Sequence, residues 1–219
     1  MTQEQGIASG LERALESGVV PVVVISGEAD AERLGAALVD GGLPVAEVTL
    51  RTPGALAAIR RLAEVPGLAV GAGTVLDEAQ YDAAVDAGAT YVVAPGSSPA
   101  LFRAATRTGV PLLPGAVTAS EVMRARDEGH RLLKFFPAEA SGGAAAIAAF
   151  ASPFADVRFV PTGGVGLGNL GDYLRLSNVA AVGGSWMVPP ALLADPDGEG
   201  RLRVLISQAV GAAAAGRIA

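Results

Sequence analysis

The chain has no cysteine, one histidine (His130) and one lysine (Lys134). Without cysteine there can be no disulfide, no thiolate metal site and no cysteine nucleophile. A single histidine cannot build a His-pair zinc motif within one chain. A Ser-His-Asp triad would have to use His130, which follows Asp127-Glu128-Gly129 and reads as an exposed turn residue. Long hydrophobic runs are also missing. The longest Val/Ile-rich run, Val19-Val20-Pro21-Val22-Val23-Val24-Ile25, falls far short of the ~18–20 residues of a membrane span and reads as a buried strand. Met1-Thr2-Gln3-Glu4-Gln5 lacks the basic region and apolar stretch of a signal peptide. Basic clusters are absent, the net charge is −6 and the isoelectric point is about 4.8. That balance argues against nucleic acid or an anionic membrane as partner. The expectation is a cytoplasmic protein acting on small molecules.

The lone lysine is the most informative residue. The other fifteen basic residues are arginines, so arginine serves wherever a surface charge is enough. Guanidinium stays charged at any ordinary pH and cannot replace an amine that must lose its proton. Lys134 sits in Leu132-Leu133-Lys134-Phe135-Phe136-Pro137. Apolar neighbours disfavour the ammonium form and free the lone pair to attack a carbonyl. A snorkelling strand-edge lysine is the plainer reading. The uniqueness of Lys134 and its four large apolar neighbours favour a nucleophile.

Short β-rich runs alternate with Ala-rich amphipathic stretches along all 219 residues, of which 51% are hydrophobic. Strands are predicted over 19–25, 45–50, 69–73, 91–94, 111–113, 132–135, 158–160 and 180–182. Helices are predicted over 29–40, 55–64, 78–86, 99–108 and 119–128, several ending in the glycine that stops a helix. Eight β/α units at roughly 25-residue spacing, with few strand charges, imply a parallel sheet closed into a single (β/α)8 TIM barrel. An open doubly wound sheet is the competing arrangement. Residues 9–17 read as an extra N-terminal helix and 202–215 as the last helix. No linker divides the chain, so one domain over 1–219 is expected, with its core at about 19–190.

In such a barrel, chemistry sits at the C-terminal ends of the strands. Glu47, Thr49 and Arg51 alternate on strand 2 and share a face. Glu47 can shuttle protons, and Arg51 can hold a carboxylate in its fork. Strand 3 ends in Gly71-Ala72-Gly73-Thr74, strand 4 in Ala94-Pro95-Gly96, and strand 6 carries Lys134 and Phe136. Strands 7 and 8 run into Thr162-Gly163-Gly164 and Gly183-Gly184-Ser185, where bare backbone lets amide groups approach a phosphate. Gly166-Leu167-Gly168-Asn169-Leu170-Gly171 fits G-x-G-x-x-G, but it lies in the seventh unit and lacks the acidic residue a dinucleotide ribose needs.

Five segments, in order and spacing, resemble the 2-keto-3-deoxy-6-phosphogluconate (KDPG) aldolases: Glu47-Val48-Thr49-Leu50-Arg51-Thr52, Gly71-Ala72-Gly73-Thr74-Val75-Leu76, Lys134-Phe135-Phe136-Pro137-Ala138-Glu139, Pro161-Thr162-Gly163-Gly164 and Gly183-Gly184-Ser185-Trp186. The resemblance spans about Val19 to Pro190. It implies a class I aldolase of the Entner–Doudoroff pathway, a homotrimer of (β/α)8 barrels without a cofactor or metal. Such an enzyme cleaves KDPG to pyruvate and glyceraldehyde 3-phosphate. Lys134 would match the Schiff-base lysine and Glu47 the general acid/base. Arg51 and Thr74 would match the pyruvyl carboxylate site, while Pro95 and Phe136 would line the pocket. Thr162 would match a position tied to stereochemical choice, and Gly163, Gly164, Gly184 and Ser185 the phosphate site.

Where some relatives carry Arg or Lys near the end of strand 1, this chain has Val23-Val24-Ile25-Ser26-Gly27. The missing cation leaves the phosphogalactonate epimer and 4-hydroxy-2-oxoglutarate open as substrates. Two other mechanisms stay open. A metal-dependent pyruvate aldolase needs several acidic ligands converging on the rim. A phosphate-ligand isomerase or binding barrel would use Lys134 only as a cation.

Overall fold

The computed structural model describes residues 11–12, 15–25 and 27–218. The extra helix predicted over 9–17, α1, is helical at residues 11–12 and 15–16. Ser9, Gly10, Arg13 and Ala14 lie outside the described residues, as do Met1 to Gln5.

Eight strands alternate with helices: β1 (Val19–Val23), α2 (Glu28–Asp40), β2 (Val45–Thr49), α3 (Ala55–Ala63), β3 (Ala69–Gly73), α4 (Glu78–Asp86), β4 (Tyr91–Val93), α5 (Pro99–Thr108), β5 (Leu112–Leu113), α6 (Ala119–Asp127), β6 (Leu132–Phe135), α7 (Gly143–Phe150), β7 (Arg158–Pro161), α8 (Leu170–Leu174), β8 (Val182–Gly184), α9 (Pro190–Leu193) and α10 (Glu199–Ile218). All strand pairings are parallel. Six strands run in the order β5-β4-β3-β2-β1-β8, and β6 pairs with β7. The two groups close on each other at both seams. Lys134 N–H donates to Pro114 O and Ala116 N–H to Lys134 O, each at 2.9 Å, bridging β5 to β6. Thr162 bridges Gly183 between β7 and β8. The predicted closed barrel is therefore what forms, rather than the open sheet.

The strands are buried almost throughout because helices cover their outer faces. On α2 the buried residues Ala31, Leu34, Gly35 and Leu38 follow the helical period. Local chemistry sets the helix starts. Thr118 and Glu121 form a capping box on α6, and the hydroxyl and backbone donors around Glu121 hold its carboxyl below the usual range despite partial burial. Ser98 caps α5, and Gly109, at φ +72°, ends it.

Strand ends shift where side-chain patterning is weak. β1 stops at Val23, two residues short of its predicted end. β8 covers Val182–Gly184 rather than 180–182, because Gly183 and Gly184 pair in register with Val20 and Pro21. Glycines carry no alternation to read, so they look like loop while belonging to the sheet.

Candidate active site

Five polar or charged residues are buried among the described ones: Glu47, Thr49, Lys134, Thr162 and Asn178. Asn178 is accounted for by packing, since its amide donates to Ile147 O at 2.8 Å. The other four belong to β2, β6 and the end of β7, at the mouth of the barrel.

At the centre, Lys134 Nζ donates to Glu47 Oε1 at 2.9 Å, with both residues under 5% exposed. Two strands on opposite sides of the barrel supply the pair, and β3 makes room for it. Gly71 and Gly73 pair in register with Glu47 and Thr49. A Cβ on Gly73 would lie 2.3 Å from Glu47 Oε1, and one on Gly71 would lie 2.2 Å from the ring of Tyr91. Tyr91, fully buried, donates to Ala46 O at 2.8 Å. Burial, with the charge of Glu47 adding, holds its phenol well above the ordinary range. Thr49 ties β2 to β1 by donating to Val23 O at 2.9 Å. The lysine's setting therefore differs from the sequence reading. It is buried as expected, but Leu133 and Phe135 alternate to the other face of β6, and it has a carboxylate partner able to take its proton.

Above the pair opens a cleft of about 170 Å³, lined by Val22, Val24, Arg51, Phe136, Thr162, Gly163, Gly164, Val165, Gly184 and Ser185. Seven of the eleven residues expected from sequence thus share this surface. Phe136 joins it to the deep pair, its ring centroid 5.3 Å from Lys134 Nζ. Arg51 lies just past β2 in a turn, not on the strand as alternation suggested. Its N–H donates to Thr49 O, and its exposed guanidinium has no ion-pair partner among the described residues.

Thr74 and Pro95 sit on the same rim but outside the cleft lining. Thr74 follows Gly73 at φ +60°, a left-handed conformation that costs a β-branched residue about 1–3 kcal/mol and marks a constrained site. The Pro95 carbonyl presses on Gly115, where an added Cβ would lie 2.2 Å from it.

The glycines at the rim are not interchangeable. Gly163 and Gly164 take φ +96° and +82°. A Cβ on Gly183 would lie 2.4 Å from Thr162 Oγ1, and one on Gly184 would run into the Trp186 ring at 1.7 Å. Among the described residues, the main-chain N–H groups of Gly163, Gly164, Val165 and Ser185 donate to nothing, and Thr162 Oγ1 is buried without a partner. Unused donors around one concavity suit an anion.

Sequence reasoning missed three features here. Gly73 makes space for Glu47, Val22 and Val24 form one cleft wall, and Glu139 lies beneath Gly164. The strand-3 glycine, aligned with a strand-2 carboxylate, was the only readable signal of the three. His130 is also corrected: it is half-buried, its ring 5.1 Å from that of Phe102, and burial pulls its pKa down. It precedes β6, away from the cleft. No group of three or more His, Asp or Glu placed to hold a metal ion occurs among the described residues.

A buried primary amine beside a carboxylate, in the mouth of a (β/α)8 barrel, is the apparatus of an imine-forming enzyme. Comparison with known proteins agrees with that class. The family model for KDPG and KHG aldolase matches residues 11–202. The 2-dehydro-3-deoxy-phosphogluconate aldolase of Pseudomonas aeruginosa is 53% identical over 179 residues, 81% of each chain. The crystal structure of the KDPG aldolase of Zymomonas mobilis ZM4 with 3-phosphoglycerate superposes with a TM-score of 0.85 at 44% identity, covering 94% of this chain and 95% of that one. The Legionella pneumophila enzyme, with pyruvate captured at low pH as a covalent carbinolamine intermediate, gives 0.84 at 37% identity, covering 96% and 98%. The chain belongs to the KDPG and KHG aldolase family.

Proposed function

We propose that this protein is a class I aldolase that cleaves 2-dehydro-3-deoxy-6-phosphogluconate to pyruvate and glyceraldehyde 3-phosphate through a Schiff base on Lys134. The observation that carries the reading is the buried Lys134–Glu47 pair, 2.9 Å apart at the barrel mouth. Glu47 takes a proton from the ammonium, and Nζ attacks the C2 carbonyl of the substrate. The carbinolamine hydroxyl leaves as water after Glu47 returns a proton, forming a protonated imine. Glu47 then removes the C4 hydroxyl proton. The C3–C4 bonding electrons flow into the imine, releasing the aldehyde and leaving a neutral enamine. Protonation at C3 and hydrolysis release pyruvate and restore the amine.

The rim groups take the roles their chemistry suits. Arg51, whose guanidinium has no ion-pair partner among the described residues, and Thr74 bind the pyruvyl carboxylate. Phe136 and Pro95 bound the pocket. The Thr162 hydroxyl, without a partner among the described residues, chooses the configuration of the carbinol. Gly163, Gly164 and Ser185 receive the phosphate on backbone donors that carry no bond among the described residues, with Gly184 beside them in the cleft lining. The family relationship supports a homotrimer of one-domain chains, spanning 1–219, working in the cytoplasm.

Pyruvate release from KDPG, from its galactonate epimer and from 4-hydroxy-2-oxoglutarate tests the assignment. The highest kcat/KM should belong to KDPG. A preference for the unphosphorylated acid would move the assignment to the hydroxyoxoglutarate reaction, favoured by the apolar wall of Val22 and Val24. No cleavage of any of the three would refute it.

A further inference from the structure

We infer that Glu139, acting with Asn169 and Tyr173, is a positioning residue that aims the glycine loop after β7 at the substrate's phosphate. The inference rests on the reading above that this cleft takes a phosphorylated 2-oxo acid.

Glu139 opens a 3-10 turn (Glu139–Ser141) just beyond β6, outside the cleft lining. Its neighbourhood engages three successive carbonyls of the loop. Ala138 N–H donates to Thr162 O at 2.8 Å, and Glu139 N–H donates to Gly163 O at 3.1 Å. Asn169 Nδ2 donates to Gly164 O at 3.1 Å. In a planar trans peptide the carbonyl and the following N–H point in opposite directions. Holding the carbonyls of Thr162, Gly163 and Gly164 on one side therefore turns the N–H groups of Gly163, Gly164 and Val165 to the other. These three N–H groups have no partner among the described residues, and their residues line the cleft.

The Glu139 side chain secures the third of these contacts. Its Oε1 accepts from Asn169 Nδ2 at 3.3 Å and from the Tyr173 hydroxyl. Asn169 is fixed at its other end by accepting from Gly166 N–H at 2.8 Å. Gly164 lies on the Glu139 side chain, where an added Cβ would be 2.4 Å from Cγ. A carboxylate beside an anion site would repel the ligand if it were free to swing. Two donors on one oxygen hold it behind the loop. Burial and the hydrogen bond to Glu139 together raise the Tyr173 phenol above its ordinary range, so it remains a donor.

Glu139→Ala, Glu139→Gln, Asn169→Ala and Tyr173→Phe test this with two substrates that differ in phosphate, KDPG and 4-hydroxy-2-oxoglutarate. Binding of inorganic phosphate is titrated in parallel. Glu139→Ala should raise KM for KDPG and weaken phosphate binding about tenfold, since a loop displaced by an ångström loses aligned contacts. The KM for hydroxyoxoglutarate, and borohydride trapping of pyruvate on Lys134, should change less than about twofold. Glu139→Gln keeps an acceptor oxygen and should restore most of the loss. Asn169→Ala should act like Glu139→Ala and Tyr173→Phe more weakly, so the test survives if one variant does not fold. Equal KM changes for both substrates, or unchanged phosphate binding in folded Glu139→Ala and Asn169→Ala, would overturn the positioning role. Loss of pyruvate trapping in the wild-type protein would instead strike the aldolase reading, leaving the phosphate titration to decide the loop.

Discussion

The deep pair and the rim loop of the barrel mouth solve opposite problems. Lys134 and Glu47 are buried, and each satisfies the other. Removing one partner from such a pair strands a charge in the interior, at about 3–5 kcal/mol. The rim keeps its donors open: among the described residues Arg51 has no ion-pair partner, and the N–H groups of Gly163, Gly164 and Val165 are unused. A closed pair can pass protons and form a bond without help from solvent. An open set can only bind. Changes to the pair should therefore act on kcat, and changes to the rim on KM.

The largest break in that division comes at the pair. Glu47→Gln keeps shape and a hydrogen-bond acceptor but loses the base, so kcat should fall about 10²–10⁴-fold. In steady-state kinetics the KM should stay within a few-fold; a KM-dominated defect would count against Glu47 as the proton carrier. Gly73→Ala sharpens the point without touching either partner. The new Cβ would lie 2.3 Å from Glu47 Oε1, so the carboxylate must move. A drop of about tenfold or more in kcat is expected, because misplacement of a base by an ångström is costly. Full activity would show that the pair tolerates a geometry this account forbids.

On the rim, Arg51→Gln removes a charge-assisted contact of about 1.5–3 kcal/mol, which should appear as a KM increase of roughly tenfold or more. Saturating substrate should recover most of the rate, and failure to do so would place Arg51 in the chemistry. The smallest effect belongs far from both regions. Burial lowers the pKa of His130, so the unfolded chain binds its proton more readily and stability rises with pH through that interval. The contribution is present above the ordinary value of 6.5 and is lost as pH falls toward the lowered folded value. Urea midpoints of the wild type should drop between neutral and mildly acid pH, and His130→Gln should flatten that part of the profile with kinetics unchanged. Parallel profiles would remove the histidine from the account.

Much of this was legible before the structure. Residues at the strand ends point to one rim because barrel strands are parallel and run one way. The uniqueness of Lys134 singled it out, and alternation on β2 put Glu47 and Thr49 on one face. Features that depend on long-range register were not legible. Whether Gly73 faces Glu47 is settled only when β2 pairs with β3. Glycines in β8 carry no pattern, so the predicted strand falls two residues early. Glu139 meets Asn169 and Tyr173 across roughly thirty residues of chain, and nothing local in Lys134-Phe135-Phe136-Pro137-Ala138-Glu139 announces it. His130 follows a polar turn and so reads as exposed, yet the ring of Phe102 from another helix covers it.

The proposed mechanism stands or falls on whether Lys134 forms the imine. Incubation with pyruvate and sodium borohydride, followed by intact mass and peptide mapping, tests it directly. The only other amine is the N-terminus, because the chain has a single lysine. One reduced pyruvyl adduct is expected on Lys134 in the wild type and none at that position in Lys134→Arg. No adduct on the folded wild-type protein, or an adduct confined to the N-terminus, would contradict it.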